Sequence, residues 1–203
     1  NRFNKYLHTV NISDTLERHV QISFLPFIGS NHKLSGNVYN KYSFNVLGGY
    51  SRGTREFELG GLFNIDKENV KGLQIAGLYN LVGDSMRGIQ IAGLLNINGK
   101  KTSGIQIAGL MNANGGAVKG IQIAGLMNKN ESSMTGLQIS GLLNYNSRFI
   151  KGTSISGLVN YNSRVDGLQI AGISNVSDTS SGYQIAGIVN SSRYTENSYA
   201  FSG

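Results

Sequence analysis

One nine-residue phrase, Gly120-Ile121-Gln122-Ile123-Ala124-Gly125-Leu126-Met127-Asn128, recurs with a polar spacer through nearly everything after residue 55. Its opening glycine stands at Gly72, Gly88, Gly104, Gly120, Gly136, Gly152, Gly167 and Gly182, in five steps of sixteen residues followed by two of fifteen. A fixed period of this length marks a repeat architecture, in which no unit buries its own apolar face and stacking does so instead. A divergent copy begins at Glu56 (Glu56-Phe57-Glu58-Leu59-Gly60-Gly61-Leu62-Phe63-Asn64), and a partial one runs from Ser198 to Gly203. We read residues 56–203 as the repeat array, about ten coils with the last incomplete, and the chain as a piece of a longer array or larger protein.

Read down the copies, each position is a column. The place after the glycine is Leu73, Ile89, Ile105, Ile121, Leu137, Thr153, Leu168 and Tyr183, and two places on every copy has isoleucine, from Ile75 to Ile185. Between them stands glutamine, except at Ser154. Apolar, polar, apolar with β-branched residues reads as a strand with one buried face. A small residue and a second glycine follow, where the backbone bends or is closely approached. Then come Leu or Ile, a variable place, and asparagine in all eight full copies: Asn80, Asn96, Asn112, Asn128, Asn144, Asn160, Asn175 and Asn190. The spacers are rich in Asn, Gly, Ser, Asp and Lys, with one apolar residue two places before most opening glycines (Val70, Met86, Val118, Met134, Ile150, Val165).

Column-by-column identity predicts an all-β parallel solenoid with coils of 15–16 residues, like side chains stacked about 4.8 Å apart, and a rod about 45 Å long. The expected interior is the spacer Val or Met, the two Ile columns and the following Leu. The eight asparagines are expected to form an amide ladder at a corner, hydrogen bonded along the axis and to the backbone the bend exposes. Glutamine is expected to make a second ladder outside. On this reading Gly125→Val crowds a bend and is disruptive, whereas Gln122→Ser is mild because Ser154 already stands in that column. The alternative is a transmembrane β-barrel, since the nonapeptide is close to the 9–11 residues a membrane strand needs. Against it, up- and down-strands would have no reason to share one motif and one loop length.

Residues 1–55 read as a cap or degenerate first rungs covering the end of the stack. Asn11 to His19 is a candidate short helix, Val20 to Phe24 alternates like a strand ended by Pro26, and Tyr42 to Tyr50 is a second strand-like stretch. The chain lacks a starting methionine, which we take to mean that a leader or upstream domain has been lost. It has no cysteine, so disulfides and thiolate metal sites are excluded.

The residues offer little for catalysis, which needs a constellation of titratable groups. His8, His19 and His32 have no metal-ligand spacing, and the carboxylates Asp66, Glu68, Asp84, Glu131, Asp166 and Asp178 fall singly in spacers. We therefore expect no enzyme, no cofactor and no metal; a β-helix polysaccharide-active enzyme is the remote alternative. The net charge of +7 and pI near 9.6 permit anionic partners. Lys71, Arg87, Lys119 and Lys151 share the place before the glycine, a cationic stripe suited to lipopolysaccharide or to no more than solubility. Nucleic acid is not expected, because the aromatics are not interleaved with the base. The column before the asparagine (Tyr79, Leu95, Met111, Met127, Leu143, Val159, Val189) is the candidate interface stripe, outward unless the corner turns it in, lengthened by Leu81, Ile97, Tyr145 and Tyr161.

These repeats, with the stretches at Val20–Pro26 and Tyr42–Gly49, resemble the Gly-x-Gln-Ile-Ala-Gly-Leu-x-Asn surface-repeat proteins of Gram-negative bacteria. That group is often linked to carboxypeptidase-regulatory-like or secretin/TonB N-terminal modules. The resemblance implies a bacterial envelope, outer-membrane or cell-surface setting and transfers no catalytic residue. The expected role is a rigid scaffold or binding surface for a protein partner or the rest of an envelope protein, with outer-membrane or lipopolysaccharide contact; an outer-membrane barrel for structure or transport is the alternative.

Overall fold

The structure is a computed structural model that describes residues 15–203. It is a parallel β-solenoid of about ten coils, with about sixteen residues per coil. A representative coil has a long strand, Val118–Ala124, a bend at Gly125-Leu126, a short strand, Met127–Asn130, and a turn leading to the next long strand, Met134–Ser140. Each strand pairs in parallel with its own counterpart: Val118 lies on Met134, Gly120 on Gly136 and Gln122 on Gln138, while Met127 lies on Leu143 and Asn128 on Asn144. This disposes of the barrel alternative, because barrel strands joined by short loops must run antiparallel.

The ends of the array obey the same register. Phe57 pairs with Leu73 and Leu59 with Ile75, so the divergent copy at Glu56 is a true coil. Ser198 stacks on Gly182 and Phe201 on Ile185. Below the array, Tyr42 pairs with Phe57, and the strand Leu16–Leu25 pairs with Val38–Asn45, so these strands continue the parallel stack; between them the two-residue strand Ile28–Gly29 folds back antiparallel on the first and a short 3-10 helix, His32–Asn37, follows. Of the helix expected at Asn11–His19, residues 11–14 lie outside the described residues and Leu16–His19 belong to that first strand, held by pairing of Leu16 with Val38 and Arg18 with Asn40. The stretch Tyr42–Tyr50 is divided by a bend at Val46-Leu47 between the strands Val38–Asn45 and Gly48–Ser51.

The fifteen-residue coils shorten in the turn. Asn146 pairs with Asn162 but Phe149 with Arg164, so Ser147 and Arg148 together match Ser163 alone. From Leu143 onward the turn itself becomes extended, giving continuous strands such as Leu143–Ser156 and Val159–Ala171.

The two glycine columns are places where coils touch. At Gly120, φ is +137°, and an added Cβ would lie 1.9 Å from the Gly104 carbonyl oxygen of the coil below. At Gly125, φ is ordinary, but a Cβ would lie 2.0 Å from the Gly109 oxygen.

The interior reverses the expected faces. The glutamine column is fully buried, and the two Ile columns and the following Leu point outward, half-exposed or exposed. Inside a typical coil stand the spacer residue, most often Val or Met, the Gln, the Ala, the Asn and, two places on, a second Asn in the five coils from Asn98 to Asn162. The physical reason is parity. In Val118–Ala124 the spacer Val118, Gln122 and Ala124 are an even number of residues apart and share one face, while Ile121 and Ile123 lie on the other. Two sheets only one thin coil apart leave room for Ala and for flat amides, not for two Ile columns. Apart from the alanine column, the larger buried apolar side chains of the array gather in a thread beside the turn, including Val70, Val82 and Met86 at one level and Val118, Met134, Ile150 and Val165 at another.

Candidate functional site

The rod is held by amides. Asn80 donates Nδ2 to Asn96 Oδ1 at 3.0 Å and to the Ile91 carbonyl oxygen at 2.8 Å. The same pair of bonds repeats from Asn96, Asn112, Asn128, Asn144, Asn160 and Asn175, with Asn-to-Asn distances of 2.9–3.1 Å. Asn190 ends the row by donating to the Phe201 carbonyl oxygen at 2.7 Å. One amide hydrogen thus runs along the axis and the other ties the corner to the long strand of the next coil. A primary amide suits this because it donates and accepts at once, so stacking leaves no member unpaired except at an end.

The buried glutamines form a second ladder: Gln90 donates to Gln74, Gln106 to Gln90, Gln122 to Gln106 and Gln138 to Gln122, at 2.8–2.9 Å. A third ladder, Asn98, Asn114, Asn130, Asn146 and Asn162, stacks two places after the first. It crosses the interior to the glutamines, as in Asn114 Nδ2 to Gln106 Oε1 at 3.0 Å and Asn130 Nδ2 to Gln122 Oε1 at 2.8 Å. Sequence reasoning took these asparagines for spacer turn residues. Their signal was parity: they lie two residues after the first asparagine column, on the same face.

Where the array begins, acids replace amides. Glu58 occupies the glutamine column and Asp66 the third-ladder column. Both are fully buried, and Gln74 Nε2 donates to Glu58 Oε2 at 2.9 Å and to Asp66 Oδ2 at 2.6 Å. Ser51 Oγ donates to Asp66 Oδ1 at 2.6 Å. Burial, and then the charge and hydrogen bonding of Glu58, push the Asp66 carboxyl well above the ordinary aspartate value. Protonated, Asp66 has a donor for Glu58 across the interior, the bond that Asn98 makes to Gln90 two coils on, while its own stack neighbours are Ser51 and Val82. No third ligand joins the pair: among the described residues no group of three His, Asp or Glu side chains is placed to hold a metal.

Outside, the apolar residues are continuous. Tyr79, Leu95, Met111, Met127, Leu143 and Val159 of the stripe before the asparagine face outward, half-exposed, and Val189 is 46% exposed. Leu81, Ile97, Tyr145 and Tyr161 extend the outer face of the short strand, and the rings of Tyr145 and Tyr161 stack at 5.4 Å. The bend column is more exposed, with Leu126 at 44%. Beyond the bend lie the Ile columns of the long strand. Gln90 and Asn98 meet across the interior by two hydrogen bonds of 3.0 and 3.1 Å, so the outer faces of the two strands look away from each other. The apolar surface therefore wraps around the bend and covers both sides.

The cationic column is stacked as well. Lys71 pairs with Arg87, Lys119 lies in register two coils further on, and Lys151 reaches Asp166 at 3.8 Å. His19 and His32 lie at the other end of the rod, in its first strand and in the short 3-10 helix His32–Asn37. No family model, curated protein or solved structure matches the chain.

Proposed function

We propose that the chain is a non-catalytic repeat domain, a rigid scaffold presenting a binding face within a bacterial envelope protein or complex. The observation that carries this is the inverted interior: three amide ladders take the inside, and the aliphatic side chains are left outside on a stack with little freedom to rearrange. An outward apolar surface of this size on a soluble chain usually marks an interaction site. The partner is a protein or the remainder of the envelope protein, with the cationic column turned to an anionic neighbour. The bacterial envelope setting rests on the resemblance to the Gram-negative surface repeats.

The test is retention. The chain, exported to the envelope of a Gram-negative host, is fractionated beside a Met111→Ser/Met127→Ser/Leu143→Ser variant of the same melting temperature. We expect the parent in the envelope fraction and the variant largely released. Equal partitioning of the two overturns the reading.

A further inference from the structure

We propose that the apolar arc of the rod lies in an anionic lipid surface, with the axis parallel to the membrane and the cationic turn side at headgroup level. This rests on the reading of the rod as an envelope binding surface and names the partner.

The first argument is the segregation of charge around the coil. From Leu73 to Ser191, the outward positions between each opening glycine and the residue after the asparagine carry one charge, Lys129. The remaining arc, the turn and the first residues of the long strand, carries Lys71, Arg87, Lys101, Lys119, Arg148 and Lys151, all exposed. Of these six only Lys151 forms an ion pair among the described residues, whereas Lys100 and Arg164 on the same arc are paired with Asp84 and Glu196. Single acids such as Asp84 and Glu131 accompany them and are engaged by Lys100 and Lys129. Over the coils from Lys71 to Lys151 the rod is amphipathic, and its polar side there has the sign that anionic headgroups attract.

The second argument is shape. At about 3.3 Å per residue and 4.8 Å per coil, the apolar arc over ten coils amounts to roughly 1,000 Å² or more, against about 300–600 Å² for the largest patch of an ordinary monomer. That area is not one plane. It runs over the Ile columns, around the exposed bend at Leu78, Leu94, Leu110 and Leu126, and onto the opposite sheet. A second rigid copy covers one sheet and leaves the other bare, whereas acyl chains conform to both. The stacked sheets are about 10 Å apart, close to the 5–10 Å depth to which interfacial elements enter the headgroup and acyl boundary.

The experiment is flotation of the purified chain with vesicles of phosphatidylcholine alone or of phosphatidylcholine and phosphatidylglycerol in equal amounts. We expect the chain to float with the anionic vesicles, to bind the neutral ones far more weakly, and to be released by salt. Lys71→Ala/Arg87→Ala/Lys119→Ala should weaken anionic binding by about fivefold per cation, about a hundredfold in all. Ile107→Ser/Ile123→Ser/Ile139→Ser, which alters only outward side chains, should weaken it by more than about tenfold with the melting temperature kept. Equal flotation with both vesicles, or none with either, overturns the inference. So does a tight dimer in sedimentation equilibrium that the isoleucine variant abolishes. If flotation fails while envelope retention still depends on Met111, Met127 and Leu143, the lipid inference falls and the scaffold reading stands with a protein partner.

Discussion

Gln169 lies directly on Ser154 in the stack, and its buried Nε2 has no acceptor among the described residues. The cause is the one break in the glutamine column among the eight full copies of the repeat. Ser154 is too short to reach its neighbours along the axis, and its Oγ donates instead to Asn160 Oδ1 at 2.8 Å. Asn162 Nδ2, which by its place should meet a glutamine oxygen, is also unpartnered. A buried unpaired donor costs about 1–3 kcal/mol.

Ser154→Gln should therefore stabilise the protein. The new side chain has Gln138 on one side and Gln169 on the other, the arrangement in which Gln106 sits between Gln90 and Gln122. We expect a gain of about 1–3 kcal/mol, read as a higher denaturant midpoint with an unchanged slope. A lower midpoint would show that the site is too tight for the ladder to continue.

Gln122→Ser should be costly, contrary to the tolerance expected from sequence. Gln122 Oε1 accepts from Asn130 at 2.8 Å and from Gln138 at 2.9 Å, and Gln138 Nε2 has no other acceptor among the described residues. With the cavity included, the loss should be about 2–4 kcal/mol in chemical denaturation. A loss below about 0.5 kcal/mol, typical of surface changes, would contradict the ladder's contribution.

Stability should fall as pH rises above the ordinary aspartate range. The folded state holds a proton on Asp66 that the unfolded chain, with a pKa near 3.8, has released. In the window between the two values the native state binds more protons, so each step up in pH favours unfolding until the folded carboxyl has also ionised. Asp66→Asn supplies the amide that Asn98 and Asn114 have in the same column and should flatten this part of the profile. Thermal melts of both proteins across the acid-to-neutral range check it; parallel profiles would place the titration elsewhere.

Gly120→Ala should be more damaging than its size suggests. The substitution meets the Gly104 oxygen and also forces a side chain into a left-handed backbone. About 1–3 kcal/mol of strain adds to a similar cost of overpacking. Gly125→Val, where φ is ordinary, bears only the second cost, that of crowding the Gly109 oxygen. Denaturant midpoints of the two variants beside exposed Lys129→Ala measure the difference.

The coil, its period and its register were legible in the sequence because equal side chains at equal steps, such as Gln106, Gln122 and Gln138, can be brought together only by stacking. The sense of the faces was misread, for a physical reason. A strand alternates with period two, and alternation alone does not say which side is inside. The usual preference puts Ile121 and Ile123 within, but Val118 and Ala124, on the face of Gln122, had already fixed the answer. The third ladder was hidden by composition, since Asn98 and Asn114 stand among Gly and Lys and look like turn residues. The buried acids were hidden by being single: nothing in Glu58 or Asp66 alone tells that each fills an amide's place.

The strict register of Asn112 on Asn128 on Asn144 makes the molecule's reach an integer quantity. Duplicating one sixteen-residue unit lengthens it by about 4.8 Å and presents the next unit with the same surface as before. Span can thus be adjusted by copying a stretch of gene, without inventing any new packing.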